Sequence, residues 1–345
     1  MNWITSKDII IFDCKFNEEL DIELISAYKK LLFSNHELNN DLFEKYIGVD
    51  FVNFIDCGYM GNKFNQDVSA IPYGITHLTF GDDFNQNVSI LPLSLTNLTF
   101  GLKFNQDVYS LPPNLTHLTF GSKFNQNVSR LPQSLGLITF GEHFNQDVSI
   151  LPSSLTHLTF GIEFNQDVSK LPQEITHLTF GNKFSENSSY ANIKFSILAF
   201  GFVDKFNQDM SNLPHTITHL TLGKTLKKQF NVPPNIKYLK LNCDEQCMID
   251  NLPNSLIELE IGHTFNLQMD NLPTSLKKLV LTPYCKYNKD LNCLPDFIEE
   301  LHLNKLYNKR ILHIPSNLKK LICDEDYIYI DDFVKIEMCD IELYS

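Results

Sequence analysis

No cysteine stands between Cys57 and Cys243, a gap that takes in most of the regular part of this 345-residue chain. The eight cysteines lie toward the two ends, so no disulfide framework can staple the middle. That usage fits a reducing compartment. A strongly basic segment is also missing: 28 Lys and Arg stand against 41 Asp and Glu, a formal net charge of −13. Nucleic acid is held by clustered Lys and Arg, so it is not an expected partner. No apolar run reaches the ~18 residues of a membrane-spanning helix, so no membrane role is expected. Residues 1–16 lack the basic start and long apolar core of a secretory signal. There is no Gly-rich phosphate loop, no G-x-S-x-G and no H-E-x-x-H. The reading is therefore a protein that is no enzyme and needs no cofactor.

What is present is a period of twenty. GSKFNQNVSRLPQSLGLITF at Gly121–Phe140 is one copy, flanked by GLKFNQDVYSLPPNLTHLTF at Gly101–Phe120 and, further on, GIEFNQDVSKLPQEITHLTF at Gly161–Phe180. Phe recurs at 64, 84, 104, 124, 144, 164 and 184, and Pro at 72, 92, 112, 132, 152 and 172. Twenty residues are too few for a helical hairpin repeat, which needs roughly 33 or more, but enough for one strand, a turn and a return pass. In Leu155-Thr156-His157-Leu158-Thr159-Phe160, alternation sends Leu155, Leu158 and Phe160 inward and His157 and Thr159 outward. Gly161 marks a sharp turn. Phe164 turns back in and stacks between coils, with Val168 and Leu171 filling the section. Pro172 cannot donate to a ladder and belongs in a corner.

Phe-Asn-Gln at 64–66, 84–86, 104–106, 124–126, 144–146, 164–166 and 206–208 goes with a Leu-Pro-x-x-Leu-x-x-Leu block, as at Leu151–Leu158. These residues resemble the FNIP repeat, a relative of leucine-rich repeats found in slime moulds and giant amoebal viruses. The resemblance covers about 61–322. Leu-Pro mostly stands where the family has Ile-Pro, with Ile71-Pro72 and Ile314-Pro315 as exceptions. It implies a repeat scaffold and no activity. The expected fold is a mostly β, leucine-rich-repeat-like solenoid of about thirteen coils over 61–323, with a small helical N-terminal cap. The expected location is cytoplasmic, in the host's cytoplasm if the chain is viral.

Residues 1–60 fall outside the regular repeat. Lys15-Phe16-Asn17 echoes Lys63-Phe64-Asn65 as a decayed copy. Leu20, Leu24, Tyr28, Leu31 and Leu32 fall near one helical face, predicting a helix over 18–33, with a second over 40–47. Two readings of 1–60 stay open: a cap over the apolar end of the stack, or an F-box-like segment that would recruit a ubiquitin ligase, as in some family members. The copy at 184–205 is degraded, and the later copies carry Lys and Glu where Thr and His stood. The acidic tail 324–345 is expected to form a C-terminal cap strand through Ile328, Ile330, Phe333, Val334 and Ile336.

Three columns follow from the period. His77, His117, His157, His177 and His219 share one strand position, with Asn97 and Leu137 between them. Neighbouring imidazoles could share a metal, but metal sites need three or four ligands, so an exposed polar column is expected. Thr79, Thr99, Thr119, Thr139, Thr159, Thr179 and Thr221 form the second column and suit an outward β position. The Asn column from Asn65 onward reads as a structural ladder, and Asp67, Asp107, Asp147 and Asp167 recur by period rather than forming a unique site. Cys243, Cys247, Cys285 and Cys293 lack the paired C-x-x-C spacing of zinc ribbons, and Cys323 stands where Phe160 stands, as a core residue. The candidate protein-binding face is therefore the outward His and Thr columns. The partner is an unidentified protein, of host origin if the chain is viral, or a ubiquitin-ligase component.

Overall fold

The computed structural model describes residues 3–34, 62–182, 205–223, 232–242, 249–262, 265–334 and 339–344. It is a parallel-sheet β-solenoid of about thirteen turns, with almost no helix among the described residues. Two compact units divide the chain: Met1–Glu174 with Gly181–Phe202, and Ile175–Phe180 with Val203–Ser345.

The first unit holds β1 (Trp3–Ser6), β2 (Ile9–Phe12), β3 (Lys30–Phe33), β4 (His77–Thr79), β5 (Asn97–Thr99), β6 (His117–Thr119), β7 (Leu137–Thr139) and β8 (His157–Gly161). From β2 onward every pair is parallel and in repeat register, so His77 lies beside Asn97, then His117, Leu137 and His157. Strands of three residues suffice because each coil hands its backbone bonds to the next. Thr116 N donates to Thr96 O at 2.8 Å, and Phe100 N to Thr119 O at 2.9 Å.

The inward residues follow the expected pattern. Leu155, Leu158, Phe160, Phe164, Val168 and Leu171 are all buried. Full burial of one such side chain contributes roughly 1.5–3 kcal/mol. The Phe residues form two interleaved columns: Phe120 and Phe124 face each other at 3.7 Å, while Phe124 lies 6.1 Å from Phe104 and from Phe144. The tightest ring contact is thus between rings four residues apart, across one corner, and the contact between rings twenty residues apart is looser. At Gly161 the expected reason for glycine is replaced by another. Its φ is not positive, but a Cβ there would overlap the carbonyl of Gly141. Stacked corners leave no room for a side chain.

The N-terminal residues correct the helical expectation. The predicted helix over 18–33 is a single turn, α1 (Ile22–Ile25), capped by Asp21, followed by strand β3. Leu31 and Phe33 are buried and Leu32 points out, the period of a strand. The pull comes from stacking: Phe33 lies 5.0 Å from Phe12 and 4.1 Å from Phe64. The decayed copy is real in structure, since Phe16 stacks on Phe64 at 5.9 Å and Asn17 Oδ1 accepts from Asn65 N at 3.2 Å. β1 lies antiparallel to β2, and its Trp3 ring lies 6.5 Å from both Phe12 and Phe16. The helix expected over 40–47 lies outside the described residues.

The second unit holds β9 (His177–Asn182), β10 (His219–Leu222), β11 (Tyr238–Leu241), β12 (Glu258–Ile261), β13 (Lys278–Leu281), β14 (Glu300–His302), β15 (Lys320–Cys323) and β16 (Asp340–Leu343), all in parallel register. β9 pairs directly with β10, and the degraded copy expected at 184–205 lies, but for Lys205, outside the described residues. In this unit Tyr replaces Phe: Phe265, Tyr287 and Tyr307 stack at 6.3 and 6.4 Å. The C-terminal strand is at 340–343, not across 328–336. Asp331–Val334 is a helical turn, α2, with Phe333 buried and Ile328 and Val334 exposed.

Candidate functional site

In β4, β5, β6, β8, β9 and β10 the outward face of the sheet is built from three positions: a Thr, then the His or Asn, then a second Thr; in β7 the first two are Gly136 and Leu137. The residue between the last two is the buried Leu or Ile of the strand, and this fixes which side chains face out. In the first unit the expected residues fall where alternation puts them. His77, Asn97, His157, Thr79, Thr99, Thr119, Thr139 and Thr159 are half-buried by their neighbours, and His117 is exposed. His177, Thr179, His219 and Thr221 take the same positions in the second unit.

Each ring is held by the Thr before it. Oγ1 of Thr76, Thr116, Thr156 and Thr176 lies 2.9 Å from Nδ1 of His77, His117, His157 and His177 in turn. Thr96 Oγ1 takes the same position 2.9 Å from Asn97 Oδ1. The rings therefore stand in fixed orientation across the sheet. Where two His are direct neighbours they stack, His177 on His219 at 3.8 Å, and His219 continues onto Tyr238 at 4.1 Å. Stacked rings aim their lone pairs in parallel, not at a common point, so this pair does not converge on one metal. Partial burial lowers the His77 imidazole below its ordinary value, with Lys30 adding to the effect. Burial does the same for His157, with a smaller push from His117.

The face changes character in the second unit. The His position continues as Tyr238, Glu258, Lys278, Glu300, Lys320 and Asp340. Lys278 Nζ lies 3.6 Å from both Glu258 and Glu300, Lys320 pairs with Glu342 at 2.9 Å, and Lys240 with Glu260 at 2.6 Å. One column over, Lys319 and Lys277 bond Glu299 from either side and hold its carboxyl below the ordinary range. These charges satisfy each other along the stack.

Seven overlapping windows of the sequence match the FNIP Repeat family, at 64–103, 87–123, 104–143, 124–161, 144–183, 228–264 and 245–283. Together they span more than half of the chain. The chain belongs to the FNIP repeat family. Among solved structures it is similar to CroV588 of a giant virus, described as a novel circular leucine-rich-repeat protein structure. Identity is 29% with a TM-score of 0.65, covering 95% of this chain and 51% of CroV588. The chain thus spans about half the length of that relative. YopM from Yersinia enterocolitica is similar at 16% identity, 95% and 63% coverage and a TM-score of 0.48. The functional domain of InlJ from Listeria monocytogenes, which includes a cysteine ladder, is similar at 17% identity, 91% and 67% coverage and a TM-score of 0.46. No curated protein matches the sequence significantly.

The recurring Phe-Asn-Gln residues of the FNIP unit are structural. Asn85 N donates to Asn65 Oδ1 at 2.8 Å, and the same bond recurs from Asn105 to Asn85, Asn125 to Asn105, Asn145 to Asn125 and Asn165 to Asn145 at 2.9 Å. Gln106 Nε2 donates to that same Asn85 oxygen. The expected Asn ladder thus runs from side chain to backbone rather than from amide to amide. The Asp column is also accounted for: Asp147 Oδ1 accepts from Ser149 N at 2.9 Å, which closes a turn and keeps the carboxyl below its ordinary range. Cys323 is buried as expected, and burial pushes its thiol up to about 11, as it does for Cys285. Cys243 and Cys247 lie outside the described residues. Among the described residues no group of three or more His, Cys, Asp or Glu is placed to hold a metal. Among them, too, no helix is long and apolar enough to cross a membrane.

Two features of the FNIP face were not read from the sequence. The first is the ring-holding Thr at 76, 96, 116, 156, 176 and 218, visible as the residue before each His or Asn but without an assigned role. The second is the Ser column, in which Ser134 and Ser154 hydroxyls donate to carbonyls of the preceding coil at 2.6–2.7 Å. The Ser-Leu pair after the Leu-Pro at 91, 131, 151, 252 and 272 was the available signal.

Proposed function

We propose that this FNIP chain is a non-enzymatic scaffold that binds a protein partner through the outward His and Thr columns of its sheet. One observation carries the reading. In β4, β5, β6 and β8 the central outward position holds oriented, uncharged polar side chains, His77, Asn97, His117 and His157, with Leu137 between the last two, while from β12 onward it holds charges that pair among themselves. Neutral polar groups give up water at lower cost than rows of Lys and Glu, and interface centres are depleted in charge. The leucine-rich-repeat-like fold, shared with CroV588, supports a scaffold role.

The ubiquitin-ligase adaptor reading through residues 1–60 gains no specific support. Residues 9–12 and 30–33 are strands of the solenoid sheet, and 35–61 lie outside the described residues.

The test is a comparison of two variants. The chain is used to capture its partner from a host lysate, and the captured protein is identified. His117, His157 and His177 are then replaced together by Glu, and separately the turn residues Lys123, Glu142 and Glu163 by Ala. The column variant should lose the identified partner with little change in Tm, and the turn variant should keep it. Loss in the turn variant and retention in the column variant would move the binding surface to the corner of the coils.

A further inference from the structure

The chemistry of the His column in the first unit can be taken one step further, resting on the reading of that face as the binding surface. Each Thr hydroxyl has one proton and two neighbours that could accept it. One is the carbonyl of the preceding coil: Thr76 Oγ1 lies 3.3 Å from Lys29 O, Thr96 Oγ1 3.2 Å from Thr76 O, and Thr116 Oγ1 3.1 Å from Thr96 O. The other is the side chain beside it, at 2.9 Å in all three cases. The carbonyls are already occupied. Thr96 O accepts from Thr116 N at 2.8 Å and His117 N at 3.1 Å. A hydroxyl to oxygen bond is normally about 2.7–2.8 Å, so the carbonyl contacts are also long.

Asn97 decides the direction. Its Oδ1 can only accept, so the Thr96 hydroxyl donates along the strand. With the carbonyls of Lys29 and Thr96 already holding two backbone N–H groups each, the Thr76 and Thr116 hydroxyls are assigned the same direction, toward Nδ1 of His77 and His117 as acceptor. The neutral ring then carries its proton on Nε2. Asn97 has its oxygen engaged and its Nδ2 left to donate.

The position therefore reads, from β3 to β6, Lys30 ammonium, His77 Nε2–H, Asn97 amide N–H and His117 Nε2–H. All are donors. From β3 to β8 the position holds no Asp or Glu, in a chain that has 41 of them. One carboxylate already reaches this row from outside it: Asp8 lies 3.4 Å from Lys30 Nζ, and its charge is also felt at His77. We propose that Lys30, His77, Asn97 and His117 form a donor row that receives the carboxylates of an acidic protein segment. Carboxylates accept without donating, and charge-assisted bonds are shorter and stronger than neutral ones. Adjacent strands set the donors about 4.8 Å apart, which allows one carboxylate per coil.

Acidification adds charge to the row. The groups acting on His77 are Lys30 and His117, which disfavour its proton, and Asp8, which favours it. When an imidazole charges, the Thr hydroxyl turns to its carbonyl and accepts from Nδ1–H, while Nε2–H becomes a charge-assisted donor. Affinity for carboxylates rises as pH falls below about 6.5, where glutamate itself stays ionised.

The experiment uses the full chain and two labelled peptides of equal length, oligoglutamate and oligoglutamine, followed by fluorescence anisotropy at about pH 7.5 and pH 6. Oligoglutamate should bind at least about tenfold tighter than oligoglutamine, and tighter still at the lower pH. The variant His77→Leu, Asn97→Leu, His117→Leu should lose that preference. Leu is native at the same register position in Leu137, so the fold has room for it. Should the triple variant fail to fold, the exposed His117→Leu alone should weaken oligoglutamate by roughly threefold. Equal binding of the two peptides, or Leu variants that keep full affinity for oligoglutamate, would overturn the proposal. The two failures are distinguishable. If oligoglutamate does not bind but the captured partner still depends on the His column, only the donor row falls. If the captured partner ignores the column, the binding face itself is wrong.

Discussion

Phe124 has no exposed surface and stacks on Phe120 across one corner and on Phe104 and Phe144 to either side. Phe124→Ala should cost about 3–5 kcal/mol, measured by urea unfolding, because the rigid stack cannot close the cavity. A cost under about 1 kcal/mol would place the ring at the surface. The half-buried histidines give a pH dependence. His77 and His157 have folded pKa values below the unfolded ~6.5, so the unfolded chain takes up protons first as pH falls. Their contribution to stability is present above that pH and is lost as pH drops through it toward the folded values. Thermal unfolding at about pH 7.5 and pH 5.5 should show a lower Tm at the acidic end. Replacing both by Gln should shrink the difference. At this scale the inward Phe and Leu and the outward His and Thr were legible, because strand alternation and the period agree at Leu158, Phe160, His157 and Thr159. The role of Thr156 was not legible, since it depends on which neighbour its hydroxyl turns to.

Between elements, the coils of the second unit trade neutral columns for alternating charge. Lys278 in β13 sits between Glu258 in β12 and Glu300 in β14, each 3.6 Å away, with its side chain 30% exposed. Its two bonds are long and solvent-screened, and no buried partner would be stranded by its loss. Lys278→Ala should cost less than about 1 kcal/mol in urea unfolding, and less again in high salt. A cost of several kcal/mol would mean that the charge ladder holds the sheet together. The misread helix over 18–33 belongs to this scale. Leu20, Leu24, Tyr28 and Leu31 match a helical face as a pattern, but helix propensity is a weak prior that tertiary contacts override. The winning contact is Phe33 between Phe12 and Phe64, far apart in sequence and invisible until the coils are stacked. The same holds for β1, whose antiparallel pairing with β2 sets Trp3 against Phe12 and Phe16.

At the scale of the molecule, the solenoid grows by addition, and each coil bonds to the one before and the one after. The face described above exists only if the twenty-residue coil is the unit that aligns His with His and Thr with Thr. The most direct measurement is therefore a pair of deletions followed by thermal and urea unfolding. Removing Gly121–Phe140 joins Phe120 to Gly141 in register, so Phe124, Asn125 and Thr139 are each replaced by the equivalent residue of the next coil. This chain should stay folded and unfold cooperatively, shorter by one strand. Removing only Gly121–Arg130 puts the remaining half-coil out of step, so Phe columns, Asn ladder and strand register cannot all be met, and this chain should not fold. If both deletions unfold the chain alike, or both leave it intact, the coil is not the unit of this protein.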